Sequence, residues 1–219
     1  MKIKHLMILN KLLFITMFIL SVANALDIDE LLLEQDEIQP SFDCSKVIDD
    51  DKNADELYIC NKIGRRNSYG NKVLALTDNF YSSYYQYIIN HINPRDKIKL
   101  KEISLNMIKE RKECLKLEDE IASSLPEGAN PIIPLLETTE CMQKSYLKAF
   151  KQITEFIYKN HQYKVFFEKI FYLNPKEYYD LIMTTKISES ATPFKLIKQV
   201  AKDNLIDETG KLIIKENSQ

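Results

Sequence analysis

Three long stretches of the chain repeat apolar residues at every third or fourth position, the spacing of a helix that buries one face. They cover residues 72–92, residues 96–120 and a segment from about residue 138 to residue 159. Only Asn93-Pro94 and its neighbours separate the first two stretches. Because proline disfavours helix at the residue before it and the link is short, we expect these two helices to pack as an antiparallel hairpin.

The pattern is weaker outside these three helices. Residues 121–136 contain Pro126, Gly128, Pro131 and Pro134, which predict a loop. Residues 26–40 are acidic and end in a proline, so we expect a flexible segment with at most one short helix. Residues 161–219 predict additional shorter helices followed by a polar tail.

Composition agrees with a helical fold. The chain of 219 residues has 4 glycines and 7 prolines, fewer than the tight turns of an all-β sandwich or barrel usually need. Its 45% hydrophobic and 28% charged residues are sufficient for a buried core. We therefore predict an all-α protein: a small antiparallel helical bundle over residues 41–160, stapled by two disulfides, with extra C-terminal helices.

The first 25 residues have the pattern of a cleavable signal peptide. Lys2, Lys4 and Lys11 precede a nearly uninterrupted apolar stretch from Leu12 to Val22, and Ala23-Asn24-Ala25 supplies small residues at the cleavage positions. The apolar stretch is shorter than the roughly 20 residues that span a bilayer. We expect cleavage after Ala25, no stable membrane anchor afterwards, and a periplasmic or secreted product.

All four cysteines, Cys44, Cys60, Cys114 and Cys141, follow this leader. An even number of cysteines in an exported chain favours disulfides, and four cysteines allow three connectivities. Metal binding is the competing interpretation, but no Cys-x-x-Cys pair or nearby histidine supplies the short ligand spacing of zinc sites. We favour Cys44–Cys60 and Cys114–Cys141, because each bond joins sequence neighbours that flank one loop.

Charge and motifs narrow the function classes. Without its leader the chain has 27 basic and 32 acidic residues, a net charge of −5, which argues against nucleic acid and favours a cationic protein partner. The chain has no nucleophile elbow, phosphate loop or His-Glu-x-x-His motif. His91 and His161 each adjoin an asparagine near a predicted helix end, where a surface role is expected. We predict no catalytic residues, no metal site and no cofactor.

Several positions together resemble the LprI-like lysozyme-inhibitor family of small exported bacterial domains. Phe42-Asp43-Cys44 and the later Glu56-x-x-Ile59-Cys60 are similar to the start of that domain. The rest of the pattern has matches on the predicted helices, over about residues 41–155: Asp78, Tyr81, Tyr85, Leu100, Arg111, Cys114 and Cys141. Within the second long helix the pattern is eroded, with Ser104, Met107 and Lys112 where the family has Gln, Trp and Asp.

The resemblance implies an exported binding protein that could protect peptidoglycan by binding lysozyme. For the matched residues Asp43, Glu56, Asp78, Tyr85 and Arg111 we expect a structural role, with Asp78 and Arg111 paired between helices. The segment from Glu118 to Thr139 is acidic and proline-stiffened, so we expect it to be the loop that enters a cleft of the partner. The alternative is an envelope structural or interaction module that has no inhibitory activity.

Overall fold

The computed structural model describes residues 26–35, 37–48, 50–60, 69–126, 128, 130, 132–186 and 192–214. These ranges contain eight α-helices, and two short 3-10 helices, Cys44–Lys46 and Asp51–Asn53, lie before the second of them. The helices are α1 (Ile28–Glu34), α2 (Ala54–Ile59), α3 (Tyr69–His91), α4 (Pro94–Ser124), α5 (Ile132–Lys159), α6 (Lys164–Ile170), α7 (Pro175–Thr184) and α8 (Thr192–Lys202). The all-α prediction is confirmed. The predicted signal peptide, residues 1–25, lies outside the described residues.

The three long helices begin and end near their predicted positions. At the start of α4 the side chain of Asn93 accepts a hydrogen bond from the Asp96 amide at 2.9 Å, and Pro94 occupies the first turn. Helix α5 begins at Ile132, six residues before the predicted start, with Pro134 in its first turn. Proline is tolerated there because the first amides of a helix have no partner within the helix.

The principal antiparallel pair is α4 with α5. These two helices pack along most of their length, and α3 packs mainly on α5. The predicted hairpin of α3 with α4 is therefore corrected: the short Asn93-Pro94 link reverses the chain, but α5 is the long helix that both neighbours contact. The amphipathic pattern of α5, with Met142, Phe150 and Ile153 all buried, suits this central position.

Residues 26–35 contain the one short helix that the sequence allowed, and this helix is packed on the core where a flexible segment was expected. The side chain of Asp27 accepts hydrogen bonds from the amides of Asp29 and Glu30 and so caps α1. Ile28 and Leu32 lie one turn apart and are 2% and 1% exposed. Asp27, Asp29 and Glu30 are exposed, whereas Ile28 and Leu32 enter the main core.

The C-terminal helices share that core. Phe167, Phe171, Tyr178, Ile182 and Val200 are buried in the same hydrophobic cluster as the long helices. The predicted polar tail is also corrected: Leu205 and Ile206 are buried, and Ile206 forms an antiparallel bridge with Leu212. The predicted boundary at residue 160 therefore divides one continuous core.

No helix in the described part of the chain is long and apolar enough to cross a membrane.

Candidate functional site

The four cysteines form two disulfides, with the connectivity that the sequence favours. Cys44 bonds to Cys60, with 5.6 Å between their Cα atoms, and so ties the first 3-10 helix to the end of α2. Cys114 bonds to Cys141, with 5.7 Å between Cα atoms, and so ties α4 to α5. Disulfides persist in oxidising compartments, so they point to an extracytoplasmic location.

A small hydrophobic cluster surrounds the Cys114–Cys141 bond. It contains Tyr58, Ile59, Leu74, Cys114 and Met142 and is separate from the main core. The hydroxyl of Tyr58 donates a hydrogen bond to the carbonyl oxygen of Leu135 at 3.1 Å. This hydrogen bond holds α2 against the first turns of α5. The outer end of the α4–α5 hairpin therefore starts from a position that is held in place.

Next to this cluster, Arg111 of α4 lies in a buried ionic network. Its guanidinium contacts Oδ2 of Asp55, from Nη2 at 2.6 Å and from Nε at 3.1 Å. Its Nη1 lies 3.6 Å from Oδ1 of Asp78 and also donates to the hydroxyl of Tyr146. The hydroxyl of Tyr146 in turn donates to Asp78 at 2.7 Å. One buried cluster thus joins α2, α3, α4 and α5.

Burial and the neighbouring charges have opposite effects on the pKa of Arg111. Burial alone lowers the pKa of the Arg111 guanidinium, but Tyr146, Asp55 and Asp78 outweigh it and hold that pKa above its ordinary value. Burial, with Asp78 nearby, raises the pKa of Tyr146 well above its usual range. Arg111 therefore stays charged and Tyr146 stays neutral at ordinary pH, which suits a structural cluster.

The structure brings together only two of the five family-matched residues, Asp78 and Arg111. Asp43 caps the first 3-10 helix by accepting from the amide of Ser45 at 3.0 Å. Glu56 lies half-buried on α2, and Tyr85 stacks on the Tyr81 ring with 6.2 Å between centroids. The matched residues are thus spread over the fold and do not converge on one surface.

Asp55 and the hydroxyl of Tyr146 are two members of this network that the sequence did not predict. Asp55 adjoins the family-matched Glu56, and α2 has only six residues, too few for periodicity to show which acid points inward. Tyr146 belongs to the predicted apolar stripe of α5, where it is 1% exposed. A buried tyrosine hydroxyl usually needs a hydrogen-bond partner, and this requirement could have indicated that Tyr146 takes part in a polar contact.

Beyond the disulfide the α4–α5 hairpin continues as a distinct element, residues 115–140, which we name the hairpin tip. It holds six acidic residues and one lysine, a net charge of −5: Glu118, Asp119, Glu120, Glu127, Glu137, Glu140 and Lys116. Within the described residues, the side chains of Asp119, Glu120 and Glu137 are exposed and form no ion pair. These three positions therefore carry negative charge without a paired cation, whereas Glu140 pairs with Lys144 just beyond the tip.

Exposed apolar side chains accompany this charge. Leu136 is 57% exposed and Ile133 is 38% exposed, both on the first turns of α5. The predicted loop from Glu118 to Thr139 is corrected, because α4 continues to Ser124 and α5 begins at Ile132. The cluster from Glu118 to Glu120 thus sits on a helix, in the last turns, where the helix dipole disfavours acids.

The described histidines and acidic residues do not gather into a metal-binding group. Among the described residues, no three His, Cys, Asp or Glu side chains lie close enough to hold a metal ion. The Nδ1 atom of His91 lies 2.7 Å from the carbonyl oxygen of Tyr87 on the preceding turn. His161 lies exposed beyond the end of α5.

Comparisons with protein-family models, with characterised proteins and with solved structures find no match to this chain. The resemblance to LprI-like lysozyme inhibitors therefore rests on the quoted residues alone. The hairpin tip combines three exposed acids that form no ion pair with the exposed side chains of Leu136 and Ile133.

Proposed function

We propose that this chain is an exported binding protein whose acidic hairpin tip engages a cationic protein, and that lysozyme is that partner. The observation that carries the proposal is the tip itself. Its net charge of −5 lies next to exposed Leu136 and Ile133, on a base fixed by the Cys114–Cys141 bond. Lysozyme is proposed as the partner because of the family resemblance and because lysozymes are typically cationic.

The physical roles of the two kinds of side chain differ. Exposed acids attract a cationic partner over a distance of about a Debye length and so raise the rate of encounter. Exposed apolar residues gain free energy only on contact, when they leave water. A rigid base reduces the entropy lost on binding. The tip combines all three properties.

Export by cleavage after Ala25 belongs to the same proposal. The two disulfides support it, because they require an oxidising compartment. Binding rather than catalysis also belongs to it, and the lack of nucleophile and metal motifs in the sequence supports that choice.

The test is a lysozyme inhibition assay on the oxidised mature protein, with a tip variant that carries Asp119→Asn, Glu120→Gln and Glu137→Gln. A matched control carries Glu168→Gln, Glu177→Gln and Glu208→Gln, which removes the same charge from exposed positions elsewhere. We expect near-stoichiometric inhibition by wild type, at least tenfold weaker inhibition by the tip variant, and less than a twofold change for the control.

Two outcomes would contradict the proposal. Absence of inhibition by wild-type protein at large molar excess would exclude lysozyme as the target. Equal weakening of the tip variant and the control would show that net charge, and not the tip, determines binding.

A further inference from the structure

A polar groove follows the α4–α5 hairpin on the side of the Cys114–Cys141 disulfide away from the tip. It consists of two neighbouring cavities of about 830 Å³ and 250 Å³ between the two helices. Ile103, Asn106 and Gln152 line both cavities, so they mark where one continues into the other. Neither the family resemblance nor the proposed function uses this groove.

Two contacts cross the groove between α4 and α5. The ammonium of Lys99 lies 4.7 Å from the ring centroid of Phe156. Further along, Lys148 forms an ion pair with Glu110. Residues 99 and 110 are eleven positions apart on α4, so these crossings are about 16 Å apart at 1.5 Å rise per residue. That length suits a short, extended ligand.

The charges along the groove are balanced. The larger cavity has Lys99 and Lys159 with Glu102 and Glu155, and the smaller one has Lys109 and Lys148 with Glu110 and Glu113. A polyanion or polycation would meet repulsion from half of these groups. The groove therefore favours a ligand without net charge.

Amide side chains occupy the centre of the groove. Asn106 and Gln152 are exposed, and the described residues give neither side chain a hydrogen-bond partner. A carboxamide offers donors and an acceptor together, which matches the hydroxyl and acetamido groups of a sugar. Phe156 at one end is half-buried and its ring is already covered by the Lys99 ammonium, so the amides are the groups left to contact a ligand.

Two other ligand classes fit less well. Pockets for apolar small molecules are lined mainly by hydrophobic side chains, whereas charged and amide groups predominate here. A helical peptide that docks in a groove needs a continuous apolar surface for its own apolar face. Ile103 and Met107 are buried in the floor and are 9% and 5% exposed, too little for such a surface.

We propose that this groove binds a short, uncharged oligosaccharide laid along α4 and α5, with Asn106 and Gln152 as the central hydrogen-bonding residues. The site is separate from the hairpin tip, so a partner on the tip and a glycan in the groove can be held together. The inference does not depend on lysozyme as the partner.

Titration of the full oxidised mature protein with the tetramer of N-acetylglucosamine, followed by backbone amide NMR shifts, tests the proposal. We expect weak, saturable binding with shifts concentrated in residues 99–113 and 145–160. The variant Asn106→Ala with Gln152→Ala should bind at least tenfold more weakly. The matched control, Gln86→Ala with Asn90→Ala, removes two exposed amides from α3 and should bind like wild type.

All four substituted residues are exposed, so thermal unfolding should show that both variants remain folded. No saturable shifts at millimolar tetrasaccharide would overturn the proposal. So would shifts that map to the tip, or equal binding by the Asn106/Gln152 variant and wild type. Lysozyme is absent from this experiment, so its result and that of the inhibition assay are independent.

Discussion

Helix α4 carries charge in two different ways along its length. At Arg111 the charge is buried, 4% exposed, and meets two carboxylates and a tyrosine hydroxyl. At Asp119 and Glu120, two turns further on, the charges are exposed and form no ion pair among the described residues. The comparison teaches that buried charge here holds helices together, whereas the exposed charge of Asp119 and Glu120 forms no ion pair within the described residues.

The largest expected effect lies on the buried side. Replacing Arg111 by Met leaves Asp55 and Asp78 buried without their cation, so we expect a loss of about 3–5 kcal/mol in the free energy of unfolding. Urea unfolding of oxidised protein measures it. Lys101→Met, an exposed change on the same helix, is the control and should alter stability by less than about 0.5 kcal/mol.

If Arg111→Met does not fold, Asp55→Asn gives a milder test, because the amide keeps the shape of the side chain. If Arg111→Met does fold, the double variant should lose less than the sum of the two single losses, since both remove the same pair. Additive losses would show that Arg111 and Asp55 are not coupled, and the buried half of the comparison would then fail.

The second effect concerns the bond that separates the two regions. Substituting Cys114 and Cys141 by Ala removes a cross-link between residues with a sequence separation of 27. Because the unfolded chain then gains entropy, we expect a loss of about 3.5 kcal/mol in the free energy of unfolding. The same change at Cys44 and Cys60, with a separation of 16, should cost about 3 kcal/mol. Chemical unfolding compares the variants. An unchanged stability on loss of Cys114–Cys141 would show that the tip needs no covalent base.

A smaller effect comes from alkaline pH. Burial raises the pKa of Tyr81 to about 12 from an ordinary value of 10.0. The stabilisation from its neutral hydroxyl is complete below pH 10 and is lost as pH rises through the folded pKa. We expect this residue to account for a loss of about 1.3 kcal/mol between pH 9 and pH 11.

The matched variant is Tyr81→Phe. When urea unfolding is repeated between pH 9 and pH 11, its free energy of unfolding should fall by about 1.3 kcal/mol less than that of wild type. The hairpin tip contains no tyrosine, so it makes no contribution of this kind. An identical slope in wild type and Tyr81→Phe would contradict the assignment.

The smallest effect is expected on the exposed side. Asp119→Asn with Glu120→Gln should change the free energy of unfolding by no more than about 0.5 kcal/mol, with a small gain because acids oppose the dipole near a helix C-terminus. Thermal and urea unfolding provide the measurement. A loss above 1 kcal/mol would show that these acids serve the fold, and the contrast with Arg111 would disappear.

The sequence predicts the long helices well because their apolar spacing records the burial of one face. It predicts the start of α5 poorly, because Pro131 and Pro134 indicate a loop while a helix tolerates proline in its first turn. It allows one short helix near α1 but does not show that this helix packs on the core, because only Ile28 and Leu32, one turn apart, record the buried face.

The candidate sites also differ in how far the sequence predicts them. The acids of the tip and the cysteines that anchor it can be read directly from the sequence. Asp55 and the groove could not be found this way, because each depends on how distant helices meet. Asn106 and Gln152 are 46 positions apart in the chain and line one cavity only because α4 and α5 are antiparallel.

The side-chain amide of Asn79 on α3 donates to two carbonyl oxygens, of Gln39 and of Thr209, each at 2.7 Å. Near it, Gly210 packs so closely that a Cβ atom would lie 2.8 Å from the carbonyl oxygen of Leu76. Segments close to both ends of the chain therefore meet at one place in the middle. Native structure around Asn79 cannot be completed until residue 209 has emerged. Folding of this polypeptide is therefore completed only after chain synthesis has passed residue 209, and not progressively from its N-terminal segments.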